Sequence, residues 1–165
     1  MKKIILGLMV ALLFIGCNSD AVEQNVEPSL VVGSSLELNL KNQHETSITM
    51  PSDTQKVIFA FSKDGAHICN DYLVTKSASY LSDNNSLFVA DVSAAPSLIR
   101  SLFIMPGLKD FKHTVLILDD KAQAAPFRQN MDTEKIVVVS LKDLKITNIK
   151  TIMSEKELIS EIEAK

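Results

Sequence analysis

Short apolar runs, each bounded by polar residues, recur along the chain. Their apolar residues are continuous rather than alternating, which is typical of strands covered on both faces of a sheet. The clearest of them lie at 56–61, 86–92, 114–119 and 135–141. The pattern therefore predicts a sheet whose central strands are buried.

Two hairpins are expected at the ends of this sheet. Segments 35–40 and 46–50 flank a polar stretch and predict a hairpin at the N-terminal end of the fold. Segment 144–153 follows a tight turn at Lys142 and Asp143, so it should pair with the strand before that turn.

Helices are predicted between and after these strands, over 69–81, 96–105 and 154–163. Pro96 suits the first helical position because its missing N–H would have no partner there. Ser154 and Glu157 have the spacing of a capping box. Residues 121–134 are polar and predict a loop. Strands that alternate with helices predict an α/β domain with a mixed sheet flanked by helices and an N-terminal hairpin extension.

The first 16 residues follow a different pattern. Lys2 and Lys3 precede an apolar run at 4–15 that is too short to span a bilayer, and Gly16 follows it, so this segment is expected to be a cleavable secretory signal. The ending "LFIGC" resembles the bacterial lipobox, although Phe14 stands where that pattern most often has leucine. The resemblance implies cleavage before Cys17 and its acylation with chains such as palmitate, which tether the protein to a membrane. A plain secretory peptide that contains Cys17 is the alternative.

Asn18 follows the cysteine where an aspartate would, by the rule known for enteric bacteria, retain the protein in the inner membrane. The resemblance therefore implies a cell-envelope protein on the outer membrane, facing the periplasm. Residues 17–34 are polar or small and predict a flexible tether, and 35–165 are long enough for one domain. Loss of Lys2 and Lys3 reduces the 17 basic residues to 15 against 20 acidic ones, so the net charge becomes −5, which argues against nucleic acid as a partner.

The chain has two cysteines, Cys17 and Cys69. With Cys17 acylated, the mature domain retains a single thiol and cannot form an internal disulfide. Cys69 is then either a buried, inert thiol or part of a site, and its surroundings decide between the two.

The predicted order of elements resembles the thioredoxin fold, in the variant of peroxiredoxin-like and copper-chaperone-like envelope proteins, over residues 35–165. In that family a Cys-x-x-Cys pair opens the helix after a buried strand. Setting "VIFAFSKDGAHICNDYL" against this pattern places Ala66, His67, Ile68 and Cys69 on the four motif positions. The alanine takes the place of the first cysteine, which is the exposed nucleophile in the family, and Cys69 that of the shielded cysteine that resolves the mixed disulfide.

A second mark of the family is a cis-proline just before the third strand, where it faces the cysteine pair. Here His113 precedes Thr114 at the start of the predicted strand, and we expect an ordinary trans peptide there because a non-proline cis bond costs about 3 kcal/mol. The two departures predict that dithiol chemistry is lost, which argues against a dithiol oxidoreductase.

Three classes of function remain open. The first is a redox-silent thioredoxin-like domain that binds an envelope protein or peptide through a groove beside residues 63–69. The second is a metal-handling module in which His67, Cys69 and His113 hold copper or zinc, since imidazole and thiolate ligands suit both metals. The third is a residual single-thiol oxidoreductase or peroxidase. No cofactor is indicated, because the five glycines form no G-x-G phosphate loop.

Overall fold

A computed structural model describes residues 27–164, so the signal segment 1–16 and the lipidation site Cys17 lie outside the described residues. The strands are β1 (Asn39–Asn42), β2 (Ser47–Thr49), β3 (Lys56–Ala60), β4 (Ser86–Asp91), β5 (Leu116–Leu118), β6 (Ile136–Lys142) and β7 (Lys145–Ile152). The helices are α1 (Lys63–Leu73), α2 (Tyr80–Asp83), α3 (Ser97–Ile99), α4 (Met105–Lys109), α5 (Lys121–Arg128) and α6 (Glu155–Glu163). A π-helical turn (Arg100–Ile104) joins α3 to α4, and we call the whole of this region the 97–109 helix.

One mixed sheet contains all of these strands, in the order β2-β1-β5-β4-β3-β6-β7. Strands β3, β4 and β5 are parallel to one another, whereas β1, β6 and their outer neighbours pair antiparallel. Both predicted hairpins, β1–β2 and β6–β7, are present. The predicted class, an α/β domain with a mixed sheet flanked by helices and an N-terminal hairpin, is confirmed.

The sheet separates two apolar cores. Successive residues of a strand point to opposite faces, and in β3 Ile58 belongs to the core under α1, α4 and α6 while Phe59 belongs to the core under α5. All five residues of β3 are buried. This covering of both faces is the physical reason for the continuous apolar runs.

The folded domain begins earlier than the predicted boundary at Ser35. Leu30 is buried in the core on the α5 side of the sheet. The N–H of Ser29 donates to the carbonyl of Pro126 at 2.8 Å, and the N–H of Gly33 donates to that of Ile146 at 2.8 Å. Residues 29–34, which composition assigned to the tether, are therefore part of the domain.

The prediction of a helix over 69–81 is wrong at both ends. Helix α1 begins at Lys63 because Ser62 caps it, with its Oγ accepting a hydrogen bond from the N–H of Gly65 at 3.1 Å. It ends at Leu73, and α2 forms separately beyond a turn. Cys69 is thus the seventh residue of α1 rather than its first.

Two further boundaries differ from the prediction. Residues 121–128 form α5 rather than a loop, because Asp120 caps the helix through the N–H of Gln123 at 2.9 Å and Ala124 is buried against the sheet. Pro96 is the N-cap rather than the first helical residue, and the helix after it runs on to Lys109. The π-helical turn precedes Pro106, which lacks the N–H that a regular turn would use.

The closing helix has caps at both ends. The capping box at α6 is confirmed, since Ser154 Oγ accepts from the N–H of Glu157 at 3.3 Å and the Glu157 carboxylate accepts from the N–H of Met153 at 3.1 Å. At the other end, Lys56 Nζ donates to the carbonyls of Glu161 and Ala164. This ammonium stabilises the helix because it lies at the negative end of the helix dipole. Within the described residues no helix is both long enough and apolar enough to cross a bilayer.

Candidate functional site

The N-terminus of α1 lies at the edge of the sheet where β3 ends and β6 begins. Ser62 Oγ donates to the carbonyl of Glu134, just before β6, at 3.3 Å. A Cβ built on Gly65 would lie 3.3 Å from Ile136 Cγ1 and 3.3 Å from Ser62 Oγ, so the first turn of the helix packs tightly on β6. The four residues that open this helix are Ser62, Lys63, Asp64 and Gly65, and none is a cysteine.

The motif positions predicted from the family resemblance therefore lie one turn too far along the helix. Ala66 and Ile68 are half-buried, His67 is exposed, and Cys69 is completely buried among the side chains of the core. Burial raises the pKa of the Cys69 thiol well above its ordinary value, because a thiolate would lose its hydration there. The thiol is neither accessible nor ionised near neutral pH.

The prediction that His113 precedes the strand facing the N-terminus of α1 is also wrong. His113 precedes β5, which β4 separates from β3, whereas the strand that begins beside the N-terminus of α1 is β6. The described residues contain no cis peptide bond, so the peptide before Thr114 is trans, and Thr114 itself is exposed.

The side chain of His113 nevertheless contacts α1, through Asn70. Its side chain is 1% exposed, its Nε2 lies 2.9 Å from Asn70 Oδ1, and its ring stacks on Phe111 with centroids 5.0 Å apart. Its Nδ1 is buried without a hydrogen-bond partner among the described residues. Burial lowers the pKa of His113 to about 4, because the imidazolium would be poorly solvated.

Gln43 fixes the backbone around His113. Its Nε2 donates to the carbonyl of His113 at 2.7 Å, and its Oε1 accepts from the N–H of Val115 at 2.9 Å. Gln43 and Asn70 are both buried, but sequence reasoning missed them, because an isolated polar residue in a turn or a helix gives no sign that its partner lies elsewhere in the chain.

The candidate metal site is not formed. His67 and Cys69 are two residues apart on α1, so their side chains leave the helix in different directions. His67 is exposed, while Cys69 and His113 are buried. In the part of the chain that the structure describes, no group of three or more His, Cys, Asp or Glu side chains could hold a metal ion.

A groove of about 590 Å³ runs between α1 and the 97–109 helix. The α1 wall presents Lys63, Ala66, His67 and Asn70, which share one helix face because they are three or four residues apart. The remaining lining is mostly apolar and consists of Ala90, Val92, Ala95, Ile99, Phe103, Ile104, Gly107, Leu108 and Phe111. The groove therefore lies beside residues 63–69, where the sequence predicted one.

The wall opposite α1 is unusually exposed for an apolar helix. The side chains of Leu98, Leu102 and Phe103 are 65%, 58% and 68% exposed, and Ile99 is 42% exposed. The large apolar side chains of a surface helix normally face the core, with polar residues toward solvent. Ile99 and Phe103 also line the groove, and we call the groove together with these four exposed side chains the groove face.

The neighbouring crevice, at the carboxyl ends of β4 and β5, is lined by polar groups of the chain that bond to one another. Arg128 Nη1 lies 2.7 Å from Asp91 Oδ2, and the Asp91 side chain is completely buried. Arg100 donates to the carbonyl of Asp119 at 2.5 Å. Because these groups satisfy one another, the groove face is the better candidate for a binding site.

Comparisons with known proteins support the fold. No protein-family model matches the chain, and no curated protein matches it significantly. It is similar in structure to a Chlorobium tepidum protein assigned as the thiol:disulfide interchange protein DsbE, with a TM-score of 0.54 and 11% identity over 81% of this chain and 96% of that one. A Neisseria meningitidis protein assigned as a thioredoxin gives a TM-score of 0.50 at 18% identity over 81% and 89% of the two chains.

StoA of Bacillus subtilis is a third structural neighbour, with a TM-score of 0.50 and 12% identity over 79% of this chain and 99% of StoA. At these identities the similarity shows the fold alone. The chain has a thioredoxin-like α/β fold, and its function must be argued from its own residues.

Proposed function

We propose that this protein is an envelope lipoprotein whose thioredoxin-like domain binds a protein or peptide and performs no thiol chemistry. The observation that carries the proposal is the position of Cys69, which is completely buried in the second turn of α1 while the helix opening holds no thiol. Exchange requires an accessible thiolate to attack a disulfide and normally a second thiol to resolve the product. Neither requirement is met by the described residues, in which Cys69 is the free cysteine.

The groove face supports a binding function rather than thiol chemistry. A contiguous exposed apolar patch is typical of an interaction site. Large apolar side chains at the centre of an interface contribute most of its binding free energy, and Phe103 is the largest exposed apolar side chain here. We therefore place the binding site on the groove face.

This proposal can be tested by selecting peptides from a random twelve-residue phage library on the immobilised full chain in detergent. We expect the selected peptides to lose at least about tenfold in affinity for Phe103→Ser and for Gly107→Leu. Gly107 lines the groove, and a Cβ built on it has no heavy atom within 4 Å, so leucine enters open space without disturbing the helix.

Ala122→Leu is the matched control, since Ala122 is exposed on α5, against the opposite face of the sheet. Peptides that bind all four proteins equally, or a failure to select any peptide dependent on the groove, would contradict the proposed function.

The lipid anchor is a separate part of the proposal and rests on the lipobox resemblance ending at Cys17. We expect the protein made in its bacterial host to partition into Triton X-114, because acyl chains contribute about 0.8 kcal/mol per buried methylene. Cys17→Ser should abolish this partitioning, whereas Cys69→Ser should not. A natural protein recovered from the aqueous phase would contradict the anchor.

A further inference from the structure

We infer that the partner segment of the groove face is apolar and carries a carboxylate, which lies against Lys63 and His67. This inference rests on the proposed function and specifies the chemistry of the partner.

The groove lining contains one lysine and one imidazole but no carboxylate. Lys63 and His67 are one turn apart on α1, both are exposed, and no aspartate or glutamate lines the groove. Neither side chain forms an ion pair with the described residues. The acidic residues of α1, Asp64 and Asp71, are three and four residues from His67 on the helix, but neither lines the groove.

The opposite wall adds no carboxylate. Residues 92–109 contain no aspartate or glutamate, and their two charged residues, Arg100 and Lys109, lie outside the groove lining. The chain as a whole has a net charge of −3, so a groove whose lining holds Lys63 and no carboxylate is a local exception to the overall negative charge. The positive N-terminus of α1, at Lys63, further favours a bound carboxylate.

The exposed side chains outside the groove identify the occupant as a protein segment. A small amphiphile seated between α1 and the 97–109 helix would leave Leu98 and Leu102 in water, 65% and 58% exposed. A polypeptide segment can fill the groove and cover these residues at the same time, because its side chains extend in several directions. The occupant of the groove face is therefore a protein segment with apolar side chains and at least one aspartate or glutamate.

The phage selection described above supplies the peptides for the test. Peptides whose binding depends on Phe103 should be enriched in Asp and Glu over Lys and Arg relative to the starting library. Each selected peptide is then synthesised with its acidic residues and with the matching amides, Glu→Gln or Asp→Asn. We expect the amide form to bind several-fold more weakly in low salt and to lose the salt dependence shown by the acidic form.

Charge reversal on the protein gives the second readout. Lys63→Glu should weaken the acidic peptide at least about tenfold and leave the amide peptide nearly unchanged. Glutamate is well tolerated in the first turn of a helix, so this variant is expected to fold. Lys156→Glu is the control, because Lys156 is exposed in the first turn of α6, outside the groove.

Each failure has a distinct meaning. Peptides that require Phe103 but show no acidic preference would overturn this inference and leave the proposed function standing, whereas an absence of groove-dependent peptides would overturn both. Decanoate that displaces the peptides at equal affinity would assign the groove to a lipid. Dimerisation that is lost in Phe103→Ser would assign it to a second copy of this chain. Either of the last two results contradicts a carboxylate-bearing partner segment.

Discussion

Acidification from pH 6.5 to pH 4 should lower the free energy of unfolding by about 3 kcal/mol through His113 alone. Burial lowers the pKa of this imidazole from 6.5 to about 4 in the folded protein, and each pKa unit corresponds to about 1.36 kcal/mol. Between these two pH values the unfolded chain binds a proton that the folded chain does not, so stability falls as the pH falls. The stabilisation from neutral His113 is fully present above pH 6.5 and is lost as the pH drops toward 4.

The measurement compares urea unfolding of the wild type and His113→Gln from pH 4 to pH 7.5. Glutamine keeps a polar group beside Asn70 but does not titrate, so the variant lacks this component of the pH dependence. We expect the variant to be less stable at pH 7.5, and the difference between the two proteins to change by about 3 kcal/mol in favour of the variant at pH 4.

His44→Gln is the matched control, because His44 is exposed in the turn between β1 and β2, and its curve should parallel that of the wild type. Parallel curves for the wild type and His113→Gln would show that the His113 pKa is not depressed and would contradict its burial.

The strands could be predicted because the signal for them is local. A strand such as β3, with both faces covered, is apolar from Val57 to Ala60, and this leaves a continuous run in the sequence. The limits of the helices depend on weaker signals. At α1 the cap, Ser62, follows the strand almost immediately, whereas the predicted helix began only at Cys69. At α5 the polar composition hid a helix that contacts the core mainly through Ala124 and Phe127.

Of the two walls of the groove, the sequence predicted only one. Residues 63–70 predicted the α1 wall of the groove. The opposite wall has the sequence pattern of an ordinary core helix, because a sequence does not show which apolar side chains are exposed to solvent. The misplacement of His113 has a topological cause. The connection through α5 carries the chain from β5 across the sheet to β6, so the strand beside the N-terminus of α1 is not the next predicted strand in sequence.

The central claim is that the thioredoxin-like fold of this protein carries no working thiol, and the reactivity of Cys69 tests it most directly. In Cys17→Ser, Cys69 is the remaining thiol of the chain. It is completely buried, and a reagent reaches it only when the protein opens. For a stability of at least about 5 kcal/mol, opening limits the reaction to about a thousandth of the unfolded rate or less.

A positive control is Cys17→Ser/Cys69→Ser/Ser62→Cys, which moves the single thiol to the N-cap of α1. There the thiol is partly exposed at the positive end of the helix, where a thiolate is stabilised, so it should react rapidly. Its rate gives the reactivity of an accessible thiol in this fold, with which the rate of Cys69 is compared.

The deciding measurement is the rate at which 5,5′-dithiobis(2-nitrobenzoate) reacts with Cys17→Ser at pH 8, in buffer and in urea. The structure predicts that Cys69 reacts at least about a thousandfold more slowly in the native protein than in the unfolded protein. The N-cap control should react rapidly under the same conditions. A native Cys69 that reacts within about tenfold of the unfolded rate would show an accessible thiol. That result would contradict the binding account and favour a single-thiol enzyme.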